Sequence, residues 1–227
     1  IGCVLAGYFY GSVNFAIILT RLVAGKDIRQ LGNNNPGAAN VSRSLGTGWG
    51  AAVLVLDISK SVIPMILVRR IVDVPGQPLA SLAALGVGLA AVIGHCRPLY
   101  YGFRGGRGIA TAIGVYVMLV PVEALFCLFG AAGAVALLVR NVEHRIGPYT
   151  PVVFVAATPF VTLATSLLLN VRLVDGIGVG NHSLAVVAGT FVLSLTILAI
   201  NPSYLRDRLK DLRTGQDPAR GSGASGQ

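Results

Sequence analysis

Two short polar stretches hold most of the side chains in this chain that could handle a phosphate. The first, Gly32-Asn33-Asn34-Asn35-Pro36-Gly37-Ala38-Ala39-Asn40-Val41-Ser42-Arg43, gathers four asparagines around one guanidinium between two apolar segments. Glycine and asparagine tolerate left-handed backbone angles, so such a loop can turn its N–H groups toward one point. An anion fits there, with Arg43 supplying charge. The second stretch, Gly94 to Gly108, presents Arg97, Arg104 and Arg107 with the pair Gly105-Gly106 just ahead of the helix-like run Ile109-Ala110-Thr111-Ala112-Ile113. Backbone N–H groups at a helix start, flanked by guanidinium groups, form a phosphate site by electrostatics alone. The candidate phosphate contacts in these loops are Asn33, Asn40, Arg43, Arg104, Gly105, Gly106 and Arg107.

The elements that must position these loops are apolar. Of 227 residues, 54% are hydrophobic and 12% charged, with a mean hydropathy of +0.72, whereas soluble domains carry about 25% charged residues. That composition calls for an all-α, polytopic membrane helical bundle. Clear spans are expected over 1–23, 49–68, 78–93, 123–139, 151–169 and 183–200, each near the roughly 20 residues a bilayer core requires. The run Ile109 to Leu119 is too short to cross unaided and is expected to break at Pro121, so the bundle has about seven helices including this short one. The chain opens at Ile1 inside an apolar run, without the layout of a cleavable signal, and a few residues are expected before it. Residues 1–200 are expected to form the transmembrane domain and 201–227 a basic cytoplasmic tail ending in a flexible, Gly/Ser-rich linker, which could lead to a further domain.

One span carries charge. Asp57 and Lys60 stand at i and i+3, on one side of their helix, where they can pair. Intramembrane charges mark a polar cavity or pathway, so Asp57 is assigned to a polar cavity and Lys60 to phosphate binding, against the plainer reading of a structural ion pair. Gly11-Ser12-Val13-Asn14-Phe15 interrupts the first span with small and polar groups, the makings of a tight helix contact. The net charge of +9 could suggest nucleic acid, but aromatic residues are 7% and the cations lie beside apolar spans. Positive loops on a membrane surface explain it, and no nucleic-acid partner is expected. With the short helix counted as a crossing, thirteen Lys and Arg fall in the odd connections and the C-terminal tail, against three (Arg69, Arg70, Arg172) in the even ones. The excess of cations marks the cytoplasmic side, which places both motif loops and the C-terminus inside, the N-terminus outside, and the protein in the plasma membrane. Cys3, Cys96 and Cys127 lack metal-ligand spacing and read as reduced. His144 and His182 read as solvated loop or interfacial residues, and no metal is expected.

The two loops resemble those of the membrane acyl-phosphate glycerol-3-phosphate acyltransferases, the PlsY type. The family's first loop reads G-S-x-N-x-G-A-T-N-x-x-R, where this chain has GNNNPGAANVSR; its second reads G-H-x-x-P and then F-K-G-G-K-G-x-A-T, where this chain has GHCRP and FRGGRGIAT. Two long motifs in the right order carry the likeness. The family's G-S-x-P-F and D-x-x-K-G have counterparts in which Asn14 stands for the proline and Ser61 for the second glycine. In the first loop Asn33 stands for its serine and Ala39 for its threonine. Its third motif, close to H-R-x-N-I-x-R-L-x-x-G, is reduced here to the basic segment from Asn201 to Leu209.

The resemblance implies transfer of a fatty acyl group from acyl phosphate to glycerol 3-phosphate, or a related phosphorylated acceptor, in phospholipid synthesis, without coenzyme A or other cofactor. Two phosphate-binding loops suit two phosphorylated substrates. An acyl phosphate already carries an activated leaving group, so the protein need only position the acceptor hydroxyl and stabilise developing charge. The candidate catalytic residues are His95, Asn35 and Arg43, with His95 as a base, although the leaving phosphate could take the proton instead. Membrane lipids are the other expected partners. The alternative reading is a non-catalytic or transport-type module that binds a phosphorylated lipid.

Overall fold

The computed structural model describes residues 1–72, 79–138, 142–169, 171–174, 177–179 and 182–214. The expected turn at Pro75-Gly76, Arg140 and the tail from 215 onward lie outside the described residues, as does the side chain of His144. The chain folds as two units, Ile1–Leu119 and Val120–Gln227, and both polar loops belong to the first.

The first apolar segment is two helices, α1 (Gly2–Gly11) and α2 (Phe15–Ala24). Asn14 makes the break. Its backbone is extended and its Oδ1 accepts from the Ile17 N–H at 3.1 Å, which caps α2. A side-chain oxygen that satisfies an orphan helix N–H thus interrupts the helix at the position where the resembled family uses a proline. A 3-10 turn at Ile28–Gln30 leads into the asparagine loop, and α3 (Ala38–Leu45) leaves it. Ile28 is fully buried and packs with Ala16, Ile17, Val41 and Val53, a small core beneath the loop. Burying one such side chain contributes about 1.5–3 kcal/mol.

α4 (Thr47–Val72) follows, and α5 (Leu79–Cys96) runs past the expected end of its span, so that His95 is part of the helix. A Cβ on Gly11 would strike the backbone of Ala91, and one on Gly94 the backbone of Tyr8. Small residues that let two backbones approach are the usual contact between membrane helices, and α1 meets α5 in this way. The second loop contains a 3-10 turn, Leu99–Tyr101, and leads into the short α6 (Ile109–Leu119). Ser61 of α4 donates to the Thr111 carbonyl of α6 at 2.7 Å. Arg69 donates to the Met118 carbonyl at the far end of α6, at 2.9 Å.

The second unit holds α7 (Pro121–Leu138), α8 (Val142–Leu168), an antiparallel hairpin of β1 (Val171–Val174) and β2 (Ile177–Val179), α9 (Leu184–Ile200) and α10 (Pro202–Thr214), which carries the basic segment. Pro121 opens α7 as its first residue, where a missing N–H is harmless. Glu123 is buried, and its Oε1 accepts from the Thr165 hydroxyl at 3.1 Å and lies 2.9 Å from His182 Nε2. His182 lies in a loop, as read, and is the partner of a buried carboxylate.

Among the described residues, four segments are long and apolar enough to cross a membrane: Gly2–Ala24, Thr47–Val72, Ala80–Tyr101 and Tyr149–Leu168. Ile109–Leu119, Pro121–Leu137 and Leu184–Ile200 are shorter apolar helices. Together these are the segments expected from the sequence, in an all-α membrane fold that adds the short helix α3 and the small hairpin. Cys3, Cys96 and Cys127 are free thiols.

Candidate active site

Between the two loops of the first unit lies a pocket of about 410 Å³, lined by Asp27, Arg29, Gln30, Asn34, Pro36, Arg104 and Gly105. Asp27 starts the wall by capping the 3-10 turn, its Oδ1 accepting from the Arg29 N–H at 3.0 Å. The Arg29 guanidinium grips the same carboxylate with both prongs, Nε to Oδ1 at 3.0 Å and Nη2 to Oδ2 at 2.8 Å. Arg21 adds a second bond to Oδ2 at 2.8 Å. Arg29 also reaches the second loop, donating from Nη1 to the Tyr101 carbonyl at 3.3 Å, with its guanidinium carbon 6.0 Å from the Tyr101 ring centroid. One residue thus ties both loops together. Hydrogen bonding from the Arg29 guanidinium, joined by the Arg29 N–H and Arg21, holds the Asp27 carboxyl well below the usual carboxylate range, although burial pushes the other way. Asp27 in turn raises the already basic Arg29. A single carboxylate set among Arg21, Arg29 and Arg104 leaves the pocket region with a cationic surplus.

The first loop is shaped by Asn40. Its Nδ2 donates to the Ile28 and Leu31 carbonyls at 3.3 and 2.8 Å, and its Oδ1 accepts from the Asn33 N–H at 3.2 Å. Asn33 is exposed and its Oδ1 accepts from the Asn35 N–H at 3.3 Å. Asn34, at the pocket wall, holds φ 58°, the left-handed angle that asparagine tolerates.

The second loop lies on the C-terminal end of α5. The Gly106 N–H donates to the His95 carbonyl at 3.1 Å. A Cβ on Gly105 would strike that carbonyl and the Pro98 ring, and one on Gly106 would strike His95 Nε2 and come within 2.9 Å of the Pro36 carbonyl. Only glycine permits this approach, which presses the second loop against the first.

Behind Gly106 is a buried polar cluster. Lys60 Nζ lies 2.8 Å from Asp57 Oδ1 and 3.1 Å from His95 Nδ1, and His95 Nδ1 lies 3.5 Å from Asp57. The three side chains are 0%, 1% and 3% exposed for Lys60, Asp57 and His95. Lys60 also sits 5.1 Å from the Phe15 ring centroid. An ammonium only donates, so with Lys60 charged the facing Nδ1 accepts and the imidazole hydrogen is on Nε2.

The structure therefore sorts the sequence candidates into groups. Arg104 and Gly105 line the pocket. Asn33, Asn35 and Asn40 shape the first loop, with Asn40 fully occupied by backbone groups. Gly106 is buried against His95, and Arg107 is half-buried beside it in sequence. Arg43 is exposed on α3 and is not among the residues that line the pocket. Asp57 and Lys60 face inward as expected, but they meet His95 and not the pocket. Asp27, Arg29 and Gln30 are the lining residues that the motif reading missed; the Asp-x-Arg spacing at the head of the loop was the available signal.

The fold and pocket define a class: a multi-pass helical membrane protein with an arginine- and amide-lined pocket between two loops. The family model "Glycerol-3-phosphate acyltransferase" matches residues 1–205. A glycerol-3-phosphate acyltransferase of Anaeromyxobacter dehalogenans is 39% identical over 180 residues, 74% of this chain and 87% of that protein. One from Halalkalibacterium halodurans is 40% identical over 168 residues, 74% of this chain and 73% of that protein. The crystal structure of PlsY (YgiH), an integral membrane glycerol 3-phosphate acyltransferase, in its glycerol 3-phosphate form, superposes with a TM-score of 0.71 at 27% identity, covering 95% of this chain and 92% of that one. Its lysophosphatidic acid form gives 0.70 at 26% identity over the same shares. The chain belongs to the glycerol-3-phosphate acyltransferase family, and it is a membrane acyltransferase.

Proposed function

We propose that this protein transfers a fatty acyl group from acyl phosphate to the first hydroxyl of glycerol 3-phosphate, giving lysophosphatidic acid and inorganic phosphate. The observation that carries the reading is the shared pocket: two loops built for anions line one cationic cavity in a membrane protein. In it, Arg104, the Gly105 backbone and Asn34 hold the acceptor's phosphate, while Arg29 and Asp27 fix the wall. Arg43, Asn35 and Arg107, outside that lining, serve the donor's phosphate. The hydroxyl oxygen bonds to the acyl carbon, the bond from that carbon to the phosphate oxygen breaks, and the departing phosphate takes the hydroxyl proton. A protein base is unnecessary in this scheme, which agrees with a His95 imidazole buried behind Gly106. Proximity and charge stabilisation supply the acceleration. Both loops face the cytoplasm in this reading, with the acyl chain among the helices, and residues 201–227 form a basic cytoplasmic tail.

The test is to supply purified protein with glycerol 3-phosphate and either acyl phosphate or acyl coenzyme A. Equal amounts of lysophosphatidic acid and inorganic phosphate should form from acyl phosphate alone. Turnover only with acyl coenzyme A, or with neither donor, contradicts the proposal.

A further inference from the structure

We propose that Asp57 and Lys60 are positioning residues that set the second loop in place through His95, an inference that rests on reading the loop pocket as the acceptor site. Neither side chain lines the pocket. Both are buried, and Lys60 is enclosed by Asp57 at 2.8 Å, His95 Nδ1 at 3.1 Å and the Phe15 ring at 5.1 Å. A buried ion pair gives up hydration that its own attraction barely repays, so it is weak evidence for stability as such. Its location is what assigns it a task. His95 is the hinge between the cluster and the loop, with its ring held at Nδ1 by Lys60 while Nε2 faces Gly106. Its carbonyl, at the end of α5, receives the Gly106 N–H at 3.1 Å. Ring and carbonyl together fix Gly105-Gly106 in a space too tight for any Cβ. Arg104, the next residue back, enters the pocket from that fixed point. Once the lysine and aspartate are gone the ring can rotate, and the loop loses its packing surface on one side. A misplacement of about 1 Å in a substrate-holding group can cost roughly a hundredfold in rate.

The variant to make is the double replacement Asp57→Leu with Lys60→Met, which removes both charges and leaves neither one buried alone. Two readouts are taken on full-length protein: amide hydrogen exchange across residues 97–108, and the KM and kcat for glycerol 3-phosphate. The double variant should fold with a melting temperature within about 5 °C of wild type. Exchange in 103–107 should rise by about tenfold or more, and KM by about tenfold with kcat within about threefold. Adding Arg104→Gln to the double variant should raise KM little further, because the two changes act on the same contact. Unchanged exchange with unchanged KM overturns the proposal. So does a double variant that cannot be obtained folded, since the cluster would then serve the whole fold. If wild-type protein does not use glycerol 3-phosphate, the functional reading fails, and the exchange data alone decide whether the cluster positions the loop.

Discussion

The amide of Asn40 joins three backbone positions of the first loop, Ile28, Leu31 and Asn33, from a fully buried side chain. Asn40→Ala should therefore destabilise the protein by about 2–4 kcal/mol, as one buried and two part-buried backbone groups lose their partner, and thermal unfolding in detergent would measure it. Asn40→Asp should be no better than alanine, since a carboxylate has nothing to donate to two carbonyls. Asp27 gives a pH prediction. Its folded pKa is depressed, so its contribution is complete above the unfolded value of about 3.9 and is lost as pH falls through the folded value. The stability difference between wild type and Asp27→Asn should stay constant over roughly pH 5 to 8 and shrink below about pH 4; unfolding midpoints across that range would show it. The sequence disclosed that both loops were rich in amides and guanidinium groups. It could not separate amides that bind a ligand from those that hold the loop, because the two tasks demand the same chemistry. Asn40 shows the difficulty. Asp27 and Arg29 precede the motif, and an ion pair in a basic connection is usually solvated.

At the scale of elements, the lengths of the apolar runs revealed the spans around the second loop and the buried cluster, including the short α6, but not α3, whose residues read as part of the first loop. The break between α1 and α2 was harder to see, because one asparagine inside a continuous apolar run can be a packed polar residue or a cap. Asn14→Ala should lower stability by about 1 kcal/mol through loss of the cap, and it should loosen the Pro36 carbonyl that Asn14 Nδ2 reaches at 3.5 Å. Ser61 tests the α4–α6 contact. Ser61→Ala should lose about 1 kcal/mol, read as a lower melting temperature with glycerol 3-phosphate KM unchanged, because α6 lies behind the loop and not in the pocket. Gly106→Ala is expected to behave differently. The added methyl must displace His95 or Pro36, so substrate use should fall even where folded protein is recovered. The hairpin after α8 carried no sequence signal strong enough to stand out, since four- and three-residue strands are shorter than a reliable alternating pattern.

For the molecule as a whole, the apolar exterior and the polar loops divide the work. Large side chains such as Leu22, Leu67, Phe126 and Phe129 are more than half exposed, which in this class means contact with lipid, not a docking surface. The pocket's lining residues all come from the first unit, the half of the chain that carries both motif loops. If the loops are cytoplasmic, a cysteine placed at Asn34 should label from the cytoplasmic face of oriented vesicles and not from the other. The central claim, that the pocket between the loops holds the phosphorylated acceptor, is tested most directly by the KM for glycerol 3-phosphate in Arg104→Gln against wild type, with melting temperature recorded alongside. The account predicts a rise of about tenfold or more at unchanged stability, the loss of one charge-assisted phosphate contact of about 1.5–3 kcal/mol. An unchanged KM in a folded, active variant would contradict it.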